Sequence, residues 1–133
     1  MSRLISRTLA LLALLALSAG APAAGNLAPQ SSSQSGVTVK VTPQSLAGAE
    51  WAFEMVFDTH SQDLKDDPQK SAVLVVDGGA PLAASDWKGD APGGHHRKGT
   101  LRFKAPAGSA ANVELRLNRP GEPAPRVFRW KLR

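Results

Sequence analysis

The chain has 133 residues, 16 basic against 11 acidic side chains and no cysteine. This length accommodates one domain, and the lack of cysteine excludes disulfides, thiolate metal sites and thiol nucleophiles. The formal net charge of +5 falls short of the dense basic clusters of nucleic-acid-binding proteins, so nucleic acid is not an expected partner.

Residues 1–24 have the pattern of a secretory signal peptide. Arg3 and Arg7 form a basic n-region, an unbroken Leu/Ala run follows from Leu9 to Leu17, and Ala21-Pro22-Ala23 places small residues at the cleavage-site spacing. The apolar run is too short for a membrane-spanning helix, which needs about 20 residues. We therefore expect cleavage, export to the periplasm or the medium, a monomeric product and no stable membrane insertion.

Residues 25–36 are polar and rich in Ser, Gln and Gly, which predicts a flexible linker. The domain is expected over residues 37–133, where apolar side chains recur with the period of two that is typical of β-strands. The predicted strands are Val37–Val41, the Trp51, Phe53, Met55 and Phe57 alternation, the apolar run Ser71–Val76, a short edge piece near Leu82, Thr100–Lys104, Val113–Leu117 and Val127–Arg133.

The spacing of these strands predicts an all-β fold, an antiparallel immunoglobulin-like β-sandwich of about seven strands. A small closed barrel is the alternative. The strand with Trp51 and Phe53 is expected at the centre of the core because it has the heaviest apolar face. The acidic stretch with Asp66 and Asp67 is expected to be a solvated turn.

The segment from Trp87 to Gly99 is predicted to be the loop that carries any functional site. It combines His95 and His96 with the backbone freedom of Gly93 and Gly94. The third histidine, His60, follows the Trp51–Asp58 strand. Because loops cluster at the two ends of a sandwich, the three histidines are expected at one end if the strand polarities agree.

Three imidazoles suit a transition metal, so the leading hypothesis is a Cu(II) or Zn(II) site with His60, His95 and His96 as ligands. Asp58 or Asp90 is the candidate carboxylate that orients a metal-bound imidazole. Since neighbouring strand residues face opposite sides, His95 and His96 need an irregular backbone to share one ion, which the two glycines before them can supply.

The alternative hypothesis is that this loop is a structural brace. In this interpretation the histidines hold the loop through hydrogen bonds to backbone groups, and Trp87 acts as a hydrophobic plug. Arg97 is expected to be a loop residue of the same end. Neither a glycine-flanked nucleophilic serine nor an HExxH motif occurs in the sequence, so we expect no enzymatic activity. Both hypotheses describe an exported binding or accessory domain, with a metal ion or an envelope protein as the candidate partner.

Two segments carry a resemblance to known proteins. Asp58-Thr59-His60-Ser61 and Gly93-Gly94-His95-His96-Arg97 resemble the THS and GGHHR segments of a group of small exported bacterial and archaeal domains of unknown function. The resemblance covers most of Val37 to Leu132. It implies an exported β-sandwich and no particular activity.

Overall fold

The computed structural model describes residues 27–133, so the predicted signal peptide lies outside the described residues. Within this range the chain forms nine β-strands and one four-residue helix, and the strands form two antiparallel sheets that pack together. The predicted all-β sandwich is confirmed. The elements are β1 (Gln30–Gln34), β2 (Val37–Ser45), β3 (Glu50–Thr59), α1 (Pro68–Ser71), β4 (Ala72–Val76), β5 (Leu82–Ala83), β6 (Asp86–Gly89), β7 (His96–Lys104), β8 (Asn112–Leu117) and β9 (Arg126–Lys131).

The first sheet has the strand order β1-β2-β3-β7-β6, and the second has the order β5-β4-β8-β9. Every pairing is antiparallel. Among residues 27–133, no helix has the length and apolar character required to cross a bilayer.

The core lies between the two sheets and confirms the central position predicted for β3. Trp51, Phe53, Met55 and Phe57 are all buried on the inner face of β3, because alternate strand residues point to the same side. The ring of Phe53 packs 5.6 Å from that of Trp130, which is on β9 of the opposite sheet. Burial of these large apolar side chains is the main source of stability.

The segment that was predicted to be a flexible linker contains β1. β1 has no apolar side chain, so the period-two pattern of a buried strand is missing, but this strand pairs with β2 in register. The side-chain amide of Gln30 binds both the N–H and the C=O of Arg129 on β9. Backbone carbonyls of Ser32 and Gln34 accept hydrogen bonds from the Arg126 guanidinium at 2.7 and 3.0 Å. These polar contacts join the β1 and β9 edges and leave fewer unpaired backbone groups there.

The strand count also differs from the predicted number of about seven. β1 is one of the additional strands, and β6 is another, in a stretch that was predicted to be part of the long loop. β6 pairs with β7 over four residues, with Trp87 opposite Leu101 and Gly89 opposite Gly99. Four residues are too few to display a period-two pattern, so this strand depends on its pairing with β7.

Four charged side chains form a cluster at one end of the sandwich, which we call the buried ion cluster: Asp66, Arg119, Glu122 and Arg126. Each side chain is at most 7% exposed. Arg126 donates to both oxygens of Glu122 at 2.8 and 2.6 Å. Arg119 bridges Glu122 at 3.1 Å and Asp66 at 3.2 and 3.1 Å. The prediction of a solvated turn is therefore wrong for Asp66, because Arg119 provides a buried partner for its charge.

The buried ion cluster predicts a loss of stability at low pH. Hydrogen bonding from Arg126 holds the pKa of Glu122 below its ordinary value of 4.5. Because the folded pKa is the lower one, this stabilisation is fully present above pH 4.5 and is lost as the pH falls through the folded value. We expect the free energy of unfolding, measured by urea denaturation from about pH 7 to about pH 3, to decline below that point.

The same pH series, repeated with two variants, separates the contribution of Glu122 to the loss of stability from that of the other carboxylates. Glu122→Gln is expected to be less stable at neutral pH and to show a shallower decline in acid. Glu50→Gln, at an exposed position at the start of β3, is the control and should keep the wild-type slope. Equal slopes for wild type and Glu122→Gln would contradict the prediction.

Candidate functional site

The loops after β3 and before β7 meet at one end of the first sheet. We call this end, with the first residue of β7, the histidine pole (residues 60–66 and 90–96). Thr59 N–H donates to His95 O at 2.9 Å, Leu64 N–H to Gly94 O at 3.0 Å, and Gly93 N–H to Leu64 O at 2.8 Å. The expected meeting of these segments is confirmed. Its cause is the register of β3 and β7, which places Asp58 opposite His96.

The two glycines supply the irregular backbone that the sequence led us to expect. Gly93 and Gly94 have φ values of +113° and +77°, in a region that residues with a Cβ rarely adopt. Asp63 stabilises this conformation, since its Oδ1 accepts from Gly94 N–H at 2.7 Å. That hydrogen bond, together with Lys65, holds the pKa of Asp63 below its ordinary value.

Arg97 lies beneath the histidine pole and is 2% exposed. Its guanidinium donates to the backbone carbonyls of Leu64 at 3.1 Å, Asp66 at 2.6 Å and Asp90 at 3.2 Å. Within the described ranges it forms no ion pair with a carboxylate, and its buried Nε–H has no acceptor. Arg97 thus joins the two loops through one rigid, multiply bonded group.

The Trp87 side chain, on β6, packs against β7 and the Arg97 guanidinium. Its ring lies 6.4 Å from that of Phe57 in an edge-to-face arrangement, and the Arg97 guanidinium carbon lies 5.8 Å from the indole centroid. A Cβ at Gly99 would be 2.5 Å from the indole Cζ2, so position 99 must be glycine for Trp87 to pack there. These contacts match the plug role in the brace hypothesis.

The histidine side chains lie at the surface of this pole. His96 Nδ1 is 2.5 Å from Asp58 Oδ1, and both groups are exposed. Of the two candidate carboxylates, Asp58 therefore contacts an imidazole, whereas Asp90 accepts from Lys98 N–H at 2.9 Å. Over residues 27–133, no three His, Asp or Glu side chains are grouped closely enough to hold a metal ion. The three-histidine metal site stays a prediction.

Sequence reasoning named Arg97 as a loop residue and missed its central position. Arg97, Leu101 and Phe103 have the same strand parity, and all three are buried. The parity that predicted Leu101 and Phe103 as core residues also points Arg97 inward once β7 is extended to His96. The start of β7 was placed too late because its first four residues are polar or glycine.

No known protein family, no curated protein and no solved structure matches the chain. The resemblance to small exported domains with THS and GGHHR segments stays a prediction.

Proposed function

We propose that this protein is an exported, non-catalytic binding or accessory domain in which the histidine-rich loop is a structural brace. The observation that carries the proposal is Arg97, whose buried guanidinium is bonded to three backbone carbonyls from both loops of the pole. Asp63 and Asp90 also bind backbone amides. The side chains of Arg97, Asp63 and Asp90 therefore hold the backbone of the pole and of the start of β7.

A surface for the partner is available on the outer face of the second sheet. Glu114 Oε2 accepts from Arg116 at 2.9 Å, and Glu114 Oε1 accepts from Arg129 at 2.9 Å. Arg129 remains 69% exposed, and Lys131 follows it on the same side of β9. Two guanidinium groups thus bind one carboxylate, and the hydrogen bond from Arg129 holds the pKa of Glu114 below its ordinary value.

This basic face suits an anionic component of the cell envelope. Each of the two guanidinium groups is oriented by Glu114 and keeps further N–H donors, which match the two oxygens of a carboxylate or phosphate. Val127 is exposed beside them, opposite Arg116 in the β8–β9 register. A basic face with an exposed apolar side chain offers both charge complementarity and contact area.

Binding to anionic surfaces tests the proposal. The probes are vesicles with and without phosphatidylglycerol and an acidic polyuronate chain, and these separate a lipid head group from a glycan. We expect binding to at least one anionic probe that weakens with salt, and a decrease of about tenfold or more in Arg116→Gln/Arg129→Gln. The matched control is Arg102→Gln/Lys104→Gln, on the outer face of the first sheet.

Two results would contradict this assignment. One is the absence of salt-dependent binding to both anionic probes. The other is an equal loss of binding in the control variant, which would attribute binding to net charge instead of to the second sheet.

A second candidate function is binding of a transition metal at the histidine pole. The specific observation is the contact of Asp58 with His96 Nδ1, which leaves the exposed Nε2 as the metal-binding nitrogen. Melting curves with a chelator and then with one equivalent of Cu(II), Zn(II) or Ni(II) test it. A shift of several degrees that is lost in His96→Ala supports the site, while no shift for any ion removes it.

The immunoglobulin-like assignment is part of the proposal. If β2, β3, β7 and β6 are matched to strands A, B, E and D, and β5, β4, β8 and β9 to strands C′, C, F and G, the two sheets have the orders ABED and C′CFG. In this matching, β1 is an additional strand at the A edge. Export is proposed from the signal-peptide pattern of residues 1–24.

A further inference from the structure

A cleft of about 350 Å³ lies between β6, the β6–β7 connection and α1. Trp87 and Arg97 line it together with Ala91 and Pro92, and Asp67, Gln69 and Asp90 add polar side chains. Its volume falls within the range of small-molecule sites. We propose that this cleft binds an uncharged carbohydrate ring, a function separate from anion binding on the second sheet.

The apolar part of the cleft suits one face of a sugar. Trp87 is half-buried and contributes an aromatic wall, and Pro92 and Ala91 add aliphatic surface. The other two tryptophans, Trp51 and Trp130, are buried in the core. A sugar ring presents C–H groups on one face, and these pack on an indole and on aliphatic side chains without loss of hydrogen bonds.

The polar part of the cleft supplies hydrogen-bond acceptors. Asp67 Oδ1 caps α1 by accepting from Gln69 N–H at 3.0 Å, and Gln69 Nε2 donates to Ser85 O at 3.2 Å. Asp90 Oδ2 accepts from Lys98 N–H. These bonds fix the three side chains and leave one oxygen of each without a partner among the described residues. Sugar hydroxyl groups are donors and can complete these acceptors.

The charges of the cleft favour a neutral ligand. The two carboxylates of Asp67 and Asp90 repel an anion, and the buried Arg97 guanidinium, which has no carboxylate partner in the described part of the chain, offsets part of their attraction for a cation. An uncharged, hydroxyl-rich ring needs no countercharge in the cleft.

Tryptophan fluorescence tests the proposal, because Trp87 is the tryptophan that lines the cleft. Neutral oligosaccharides of glucose and of N-acetylglucosamine are titrated, with glycerol as a polyol that has no ring. We expect a saturable change of emission with at least one oligosaccharide and a non-saturating response to glycerol. In Trp87→Phe the emission change should disappear, and Trp51 and Trp130 then report that the fold is intact.

A matched pair of variants tests the acceptors. Asp67→Ser retains a side-chain cap for α1 but removes the second carboxylate oxygen. It is expected to weaken sugar binding about tenfold. Asp86→Ser, at an exposed position on β6 outside the cleft, should bind as the wild type does. The melting temperature of each variant shows whether it is folded.

Three outcomes would overturn the proposal. They are no saturation with any neutral oligosaccharide, equal binding by Asp67→Ser and wild type, and preferential saturation by tetramethylammonium or glucuronate, which would make the cleft a cation or anion site. Arg116→Gln/Arg129→Gln should bind sugar normally. A negative result for anion binding on the second sheet is thus distinguishable from a negative result for sugar binding in the cleft.

Discussion

Arg126→Ala is expected to unfold with a free energy about 3–5 kcal/mol lower than that of the wild type. The Arg126 side chain is fully buried and donates to Glu122 and to the carbonyls of Ser32, Gln34 and Val37. Its removal leaves a buried carboxylate with Arg119 as its remaining cation and removes the donors that bind the β1 edge. The loss is a large fraction of the stability of a domain of this size.

Urea denaturation followed by tryptophan fluorescence measures this effect. Hydrogen exchange is expected to show the largest loss of protection in β1 (Gln30–Gln34), because Arg126 binds that strand directly. The matched control is Arg129→Ala on the same strand. Arg129 also pairs with a glutamate, but its side chain is 69% exposed, so its loss should cost less than about 1 kcal/mol.

A double variant separates the cost of an unpaired charge from the cost of lost packing. Arg126→Met/Glu122→Leu removes both charges and is expected to be more stable than Arg126→Ala, because no carboxylate is then left with an incomplete set of partners. If Arg126→Ala lost no more stability than Arg129→Ala, the buried ion cluster would have no structural importance.

Arg97→Met is expected to lower the free energy of unfolding by about 2–4 kcal/mol. Methionine retains much of the aliphatic stem but no donor, so the carbonyls of Leu64, Asp66 and Asp90 lose the hydrogen bonds that the guanidinium donates. The histidine pole should then open locally, with faster hydrogen exchange at the amides of Leu64 and Gly93. The effect should be the same with a chelator or with added Cu(II), because the brace does not require a metal.

The neighbouring residue provides the control for this prediction. Lys98→Met makes the same change of charge at an exposed position, where Lys98 lies 3.6 Å from Glu54, and should cost less than about 1 kcal/mol. If Arg97→Met kept the wild-type stability and exchange, the brace hypothesis would be wrong. If added copper restored stability to Arg97→Met and not to Arg97→Met/His96→Ala, the metal hypothesis would replace it.

The strands that the sequence predicted well are the ones whose apolar side chains alternate. In β3, Trp51 and Phe53 signal a core position without any knowledge of their neighbours. The strands that the sequence did not reveal are β1 and β6, which are stabilised by pairing with β2 and β7 and, for β1, by side chains distant along the chain. The glutamines and serines of β1 have no preference for a core, and their role became visible only with Gln30 bound to Arg129 and with Arg126 bound to the β1 carbonyls.

For the candidate site, too, the sequence predicted some features and left others undetermined. The sequence indicated which loops carry the histidines, because Gly93-Gly94 and the strand ends mark that segment. It did not indicate that Asp58 would contact His96 while Asp90 bound the Lys98 amide, since each carboxylate precedes a histidine by a few positions along the chain and neither spacing reveals a contact. That distinction follows from the register of β3 with β7.

The sequence by itself determined that this is an all-β domain with its core on β3, because alternation of apolar and polar side chains is a local property that the pleat of a strand turns directly into buried and exposed faces. Only the tertiary structure decided which polar residues are structural. Asp66 and Arg119 are 53 positions apart, and Arg126 is 89 positions from the Val37 carbonyl that it binds. A buried charge is tolerated only where a countercharge or several backbone carbonyls bind it, and these groups are brought together by the packing of the two sheets and their connecting loops, not by spacing along the chain.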